Sequence, residues 1–261
     1  MDKLYIIKIG GNIIDDETKL SSFLQEFAAI DAKKILVHGG GKLATRLAEE
    51  LKVPQQLVEG RRITNHETLK IVTMVYAGYI NKNIVAQLQS LQCNAFGLSG
   101  ADGNAIQAHK RKVDGIDYGF AGDVDVINKK LLMQLLDANL SLVLAPITHD
   151  KNGQLLNTNA DTIAQEVAKN LGSDFDVHLV YTFEKKGVLL NANEDDSVIK
   201  KITPSFFKEL KEKQLVFAGM IPKLDNAFVA LNNGVSKVII GKAEDLQLLI
   251  KGTSGTTIIN E

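Results

Sequence analysis

The chain has a single cysteine, Cys93, which excludes an internal disulfide and any cysteine-cluster metal site. Its place at the start of an apolar run marks it as a small buried hydrophobe. Charge of one sign is equally lacking, since thirty Lys and Arg stand against thirty-one Asp and Glu for a net charge of -1. With no basic patch along the chain, nothing is there to hold nucleic acid or an anionic membrane surface. Long apolar runs are missing too. After Met1-Asp2-Lys3-Leu4 the chain stays apolar for only about five residues, far short of a signal-peptide core or the ~20 residues of a spanning helix. A cytoplasmic protein is expected. The Walker pattern G-x-x-x-x-G-K-[ST] is absent, as are H-R-D and D-F-G triplets, which excludes P-loop and protein-kinase nucleotide sites.

What is present is length and alternation. A chain of 261 residues, 45% apolar, can bury a full core. Short Val/Ile/Leu runs alternate with longer amphipathic segments, the pattern of a largely parallel sheet with helices on both faces. Strands are predicted at Tyr5 to Ile9, Lys34 to His38, Asn94 to Leu98, Leu140 to Pro146, Asp176 to Thr182 and Lys237 to Ile240. Helices are predicted at Thr18 to Ile30, Lys42 to Lys52, His66 to Leu91, Asn128 to Asp137, Ala160 to Leu171, Pro204 to Lys213 and Lys223 to Leu231. Residues 105 to 127 and 183 to 203 break the alternation and read as hairpin excursions. The polar seam Asn170 to Asp174 is the candidate boundary between two lobes sharing one sheet, residues 1–172 and 173–261. From Ile71 to Ile80 the third helix is apolar nearly all round, so it should pack on the core with one side and on another subunit with the other.

Chemistry is concentrated at the ends of these segments. The first strand runs into Lys8-Ile9-Gly10-Gly11, and paired glycines before a helix let backbone N–H groups approach a phosphoryl group. A tight turn and a solvated lysine would explain that motif alone. The second strand, however, ends in His38-Gly39-Gly40-Gly41, so two glycine crests reach the sheet edge where open α/β folds bind ligands. His38 reads as an anchor of its turn rather than an acid or base. Gly39 to Ala44 also satisfies a relaxed dinucleotide fingerprint, but Glu59, at the spacing of its acidic partner, has no buried strand leading to it. In Gly60-Arg61-Arg62-Ile63-Thr64 a guanidinium fork stands in a loop, suited to a carboxylate. Asn157-Thr158-Asn159-Ala160-Asp161 places amides and a carboxylate at a helix start, where Asn159 is also an ordinary N-cap. Lys223, in the first turn of a helix, opposes the helix dipole, which points to a function.

Taken in order, Lys8 with Gly10-Gly11, His38 to Gly41, Gly60 to Thr64, Asn157 to Asp161 and Gly219-Met220-Ile221-Pro222-Lys223 resemble the N-acetylglutamate kinase branch of the amino acid kinase family. That resemblance spans the chain from first strand to last helices. It implies an open three-layer αβα sandwich, with the acylglutamate site and dimer contact in residues 1–172 and the nucleotide on residues 173–261. It implies that Lys8 and Lys223 stabilise a transferring phosphoryl group while Asp161 holds both lysines. Gly10 and Gly11 would bind phosphate. Gly40, Gly41, Arg62, Asn157 and Asn159 would bind the acylated amino acid, with Arg62 and Asn157 on its α-carboxylate. Thr182, Lys186, Gly187, Gly219 and Met220 would meet ATP, which brings Mg²⁺. The run Thr182-Phe183-Glu184-Lys185-Lys186-Gly187 departs from the family, with Phe183 where an aspartate is usual, and Ala218 replaces a common glycine.

The implied reaction phosphorylates the side-chain carboxylate of N-acetyl-L-glutamate, or of a relative such as N-succinylglutamate, at an early step of arginine biosynthesis. A carboxylate of pKa about 4.3 is already ionised, so no general base is required. Alternatives are another amino acid kinase, such as a glutamate 5-kinase or carbamate kinase, or a dinucleotide-dependent dehydrogenase. Lys110, Arg111 and Lys112, in the excursion beside the acyl pocket, read as solvated strand residues. Only Met1, Asp2 and Lys3 precede Leu4 and the first strand, so the helix that links arginine-inhibited relatives into hexamers is not expected, and an arginine-insensitive homodimer is.

Overall fold

The computed structural model describes residues 1–58, 60–191, 194, 196–213, 215–216 and 220–260. Its strands are β1 (Lys3–Ile9), β2 (Lys33–His38), β3 (Leu57–Val58), β4 (Arg61–Arg62), β5 (Ala95–Leu98), β6 (Ile106–Lys110), β7 (Ala121–Ile127), β8 (Ser141–Leu144), β9 (Ile147–His149), β10 (Leu155–Thr158), β11 (Asp176–Phe183), β12 (Lys201–Ile202), β13 (Lys237–Lys242) and β14 (Thr256–Ile258). Its α-helices are α1 (Gly11–Ile14), α2 (Glu17–Ala28), α3 (Gly41–Glu50), α4 (His66–Val72), α5 (Asn81–Ser90), α6 (Lys129–Asp137), α7 (Ala160–Leu171), α8 (Pro204–Glu212), α9 (Ile221–Asn232) and α10 (Leu246–Lys251).

The Val- and Ile-rich runs form the middle of an eight-stranded sheet, ordered β12-β14-β13-β11-β1-β2-β8-β5. Every neighbouring pair is parallel except β13 with β14. Alternate residues of a strand point to opposite faces, and here both faces are apolar because both are covered. Leu4, Ile6, Ile35, Val37, Val177 and Leu179 pack with residues of α6, α7, α8 and α9. Tyr5, Ile7, Ile9, Leu36, Val143 and Val180 pack with residues of α2, α3, α4, α5 and α10. The result is the expected three-layer αβα sandwich around a largely parallel sheet. No helix among the described residues is long and apolar enough to cross a membrane.

Two expectations are refined. The helix from His66 widens into a π-helical segment, Thr73–Ile80, between α4 and α5. Val75, Tyr76 and Ile80 turn into the core there, while Met74 and Tyr79 are 54% and 62% exposed. The excursion at 105–127 is the antiparallel hairpin β6–β7, which closes with β9 and β10 into a small four-stranded barrel over the sheet edge. Among the described residues, the excursion at 183–203 carries a Leu189–Val198 bridge and the short strand β12. Its polar run Asn191 to Asp196 falls partly outside the described residues. Cys93 is buried just before β5, as its apolar setting suggests.

Candidate active site

Parallel strands end at one edge, so the loops after β1, β2, β11 and β13 gather there. Gly10 caps α1 and Gly40 caps α3, each without a side-chain hydrogen bond. Gly40 has φ +147°, and a Cβ on it would lie 2.3 Å from Ile80 Cδ1 and 3.0 Å from Tyr76 Cδ1. Only glycine fits both that dihedral and that approach. His38 is fully buried beneath the crest. Its Nδ1–H donates to the Gly39 carbonyl at 2.8 Å, and its Nε2 accepts from Asn81 Nδ2 at 3.3 Å. Asn81 is oriented in turn by Val143 O and by the Lys82 ammonium. Burial lowers the His38 pKa to about 4, and nearby Lys82 pushes the same way. The neutral ring is therefore an anchor of the turn.

Two clefts share Gly10, Gly11 and Gly41 as a common wall. One, of about 240 Å³, is lined by Lys8, Arg61, Arg62, Tyr76, Asn157, Asn159 and Asp161. The other, of about 900 Å³, is lined by Thr182, Phe183, Gly187, Met220, Lys223 and Lys242. Lys8, near the end of β1, forms an ion pair with Asp161 of α7 at 2.9 Å. Of the two lysines expected on Asp161, the ion pair shown is with Lys8. Lys223 makes no ion pair among the described residues, and its ammonium lies 3.7 Å from the centroid of the Phe183 ring. Burial lowers the pKa of Lys223, Asp161 raises it, and Lys8 lowers it further.

On the smaller cleft, Arg62 is buried, and its fork is already engaged. It donates to Gln55 Oε1, to the Gly41 carbonyl at 2.9 Å and to Thr45 Oγ1 at 2.9 Å, tying β4 to the first turn of α3. Thr64 is clamped by the hairpin, with Phe120 N–H on its carbonyl at 2.7 Å and its own N–H on Tyr118 O. Gly119, at φ +64°, permits this, since a Cβ there would meet Thr64 O at 2.3 Å. Asn157 donates to Thr64 Oγ1 at 3.0 Å. Asn159 caps α7 by accepting from Thr162 N–H at 3.1 Å, and it still faces the cleft.

Sequence reasoning missed Arg61 and Tyr76, which line the same cleft. Arg61 lies 3.9 Å from Asp123, whose two oxygens each accept from Arg111 at 3.0 Å. Arg111 is thus not the solvated strand residue expected, but half-buried against Asp123 and the Tyr118 ring. Lys110 is exposed, with its ammonium 4.0 Å from the Phe120 ring centroid. The cluster was illegible because Arg61, Arg111 and Asp123 sit on three separate strands or strand ends.

Thr182, Gly187 and Met220 line the larger cleft. The Thr182 hydroxyl donates to Lys8 O at 2.9 Å, cross-linking β11 to β1. Lys186 is not brought to the cleft, but pairs with Asp196 at 2.9 Å. Gly219, Ala218 and Glu59 lie outside the described residues. Lys19, Lys42 and Lys242, not singled out beforehand, line this cleft too with Lys185, beside the carboxylates Asp15, Asp16, Glu184 and Glu244.

The family model described as the amino acid kinase family matches residues 3–242. An acetylglutamate kinase of Cytophaga hutchinsonii is 56% identical over 262 residues, covering 99% of both chains. One of Phocaeicola vulgatus is 54% identical over 257 residues, covering 98% of both. Among solved structures, Giardia carbamate kinase superimposes with a TM-score of 0.73 at 15% identity, covering 100% of this chain and 99% of that one, which speaks for the fold alone. With the lysines, the glycine crests and the sandwich that carries them in view, the chain belongs to the amino acid kinase family.

Proposed function

We propose that the chain transfers the γ-phosphoryl group of ATP to the side-chain carboxylate of N-acetyl-L-glutamate, giving an acyl phosphate at an early step of arginine biosynthesis in the cytoplasm. One observation carries the reading: two clefts, one sized for a small amino acid and one larger and polar, meet at Gly10–Gly11 with Lys8 and Lys223 on either side. The relatives above half identity support it, since they are acetylglutamate kinases. In this reading the smaller cleft, in residues 1–172, holds the acceptor, and the larger, lined by both halves, holds ATP against residues 173–261.

The acceptor carboxylate is ionised at neutral pH, so catalysis needs alignment and charge neutralisation rather than a base. Lys8, fixed by Asp161, and Lys223 stabilise the equatorial charge of the migrating group, while Gly10, Gly11, Gly40 and Gly41, which line the clefts, offer it backbone N–H groups. Arg62 fixes the start of α3 and, with Asn157 and Asn159, orients the acceptor. Thr182, Gly187 and Met220 bound the donor cleft. Among the described residues no cluster of three or more His, Cys, Asp or Glu could hold a metal, so a Mg²⁺ would be carried by the nucleotide phosphates and waters, where it would neutralise phosphate charge. Met74 and Tyr79, exposed on the π-helical segment, are the proposed contact of a homodimer.

A second reading of the acyl group is favoured by one feature. Arg61 and Arg111 share a single carboxylate, Asp123, which leaves one positive charge over at the cleft wall. A dicarboxylic acyl group, as in N-succinylglutamate, would neutralise it. Trapping the acyl phosphate with hydroxylamine in the presence of glutamate, N-acetylglutamate or N-succinylglutamate tests both. ATP-dependent hydroxamate with an N-acylated glutamate is expected. Formation with free glutamate alone, or with none, removes the proposed function.

A further inference from the structure

The two lysines at the junction of the clefts are held by different means. Lys8 has a carboxylate, Asp161, at 2.9 Å. Lys223 has an aromatic face, with its ammonium 3.7 Å from the Phe183 centroid, and the Lys8 ammonium reaches the same ring at 5.8 Å. The ring is itself restrained. It stacks on Tyr181 with centroids 6.4 Å and planes 25° apart, and its backbone pairs with Lys242 of β13.

We propose that Phe183 is the positioning residue for Lys223: the face of its ring fixes the ammonium where the two clefts meet and leaves its full charge to the migrating phosphoryl group. A carboxylate in the same place would also orient the lysine, but it would cancel the charge and repel phosphate oxygens. A ring attracts a cation through its quadrupole and carries no net charge. The division of labour is then explicit, with Asp161 orienting Lys8 by ion pairing and Phe183 orienting Lys223 without neutralising it.

The surroundings make the ring matter more. Burial disfavours the Lys223 ammonium, and neighbouring Lys8 disfavours it again. Asp161 on α7 opposes them, while Arg61 on β4 and Tyr181 on β11 line the recess beside it. Across the donor cleft stand Glu184, Lys185, Lys242 and Glu244, and on α9 itself Asp225 is engaged by Lys211. The ring is the contact that favours the charged form with no charge of its own.

This inference rests on the proposed phosphotransfer and deepens it. The test is steady-state kinetics across pH with site-specific 4-fluoro-, 3,5-difluoro- and pentafluorophenylalanine at position 183, alongside Phe183→Leu and Phe183→Tyr. Fluorination drains the quadrupole while keeping the shape, so folding is not at issue. The expected result is a stepwise fall in kcat of about tenfold or more across the series, with KM for the acylglutamate unchanged. The alkaline limb of kcat should move down by about one pH unit as the ammonium loses its support. Phe183→Tyr should keep kcat near the parent value, and Phe183→Leu should fall with the fully fluorinated protein. A flat fluorination series with an unmoved alkaline limb overturns the assignment, as does a folded Phe183→Tyr protein as slow as Phe183→Leu. Absence of activity in the parent protein would instead count against the phosphotransfer reading.

Discussion

Acidification offers a quantitative test of the crest, because His38 is buried neutral directly beneath it. Its pKa is about 4 in the folded protein against 6.5 for an unperturbed imidazole. Between those values the unfolded chain binds the proton and the folded chain does not, so stability rises with pH across that window. The contribution is present in full above the unfolded value and is lost as pH falls toward 4. A gap of 6.5 − 4 = 2.5 units corresponds to about 3 kcal/mol at roughly 1.4 kcal/mol per unit. His38→Gln removes the titration together with the Gly39 and Asn81 hydrogen bonds, so it should cost about 1–3 kcal/mol at neutral pH. The stability difference between parent and variant should then shrink as the medium is made acid. Urea unfolding followed by circular dichroism, from about pH 7.5 down to about pH 4.5, measures it. His178, whose pKa is also lowered to about 4, is common to both proteins and cancels in the difference. A difference that stays constant with pH would refute the assignment of a neutral, buried His38.

Lys8→Ala and Lys223→Ala should each lower kcat by about a hundredfold or more while sparing acylglutamate binding, because each removes charge stabilisation made mainly in the transition state; near-parental kcat in either would cancel its role. Arg62→Lys should weaken acylglutamate binding in calorimetry and leave ATP binding intact, since an ammonium cannot reproduce the planar fork that reaches Gln55 on one side and Gly41 O and Thr45 on the other. Gly40→Ala should destabilise the protein by at least about 2 kcal/mol, from a strained dihedral and a forced shift of Ile80, and should raise the acylglutamate KM. A melting temperature and KM like the parent's would show that the crest relaxes freely.

The fold was legible where periodicity was strong. Runs such as Ile6-Ile7 and Leu179-Val180 are apolar on both faces, which only a covered sheet demands, and each became a central strand. Short elements escaped: α10 spans six residues, and β9 and β10 are too brief to show alternation before a remote partner pairs them. The π-helical segment was visible only as a stretch apolar nearly all round, because a change of hydrogen-bond register leaves no periodic mark. In the candidate site, glycines and lysines at strand ends could be read because position in the chain and position at the sheet edge coincide. The Arg61–Asp123–Arg111 cluster and the ring beneath Lys223 arise from contacts between distant segments. Lys186 was misplaced for a related reason, since its pairing with Asp196 is made within the excursion itself.

The strand β1 pairs with β11 on one side and β2 on the other, over six aligned residues each. Both clefts therefore hang from one strand, and the Thr182–Lys8 hydrogen bond locks the joint at its tip. A hinge needs a few residues free to change their dihedrals, and ladders on both sides deny β1 that freedom. Motion that brings donor and acceptor together must be carried by what stands above the sheet edge, the β6–β7 hairpin and α9, rather than by swinging one half of the molecule against the other. The gap between the reacting atoms is then as stiff as the sheet, and turnover should be paced by those overlying segments letting product out.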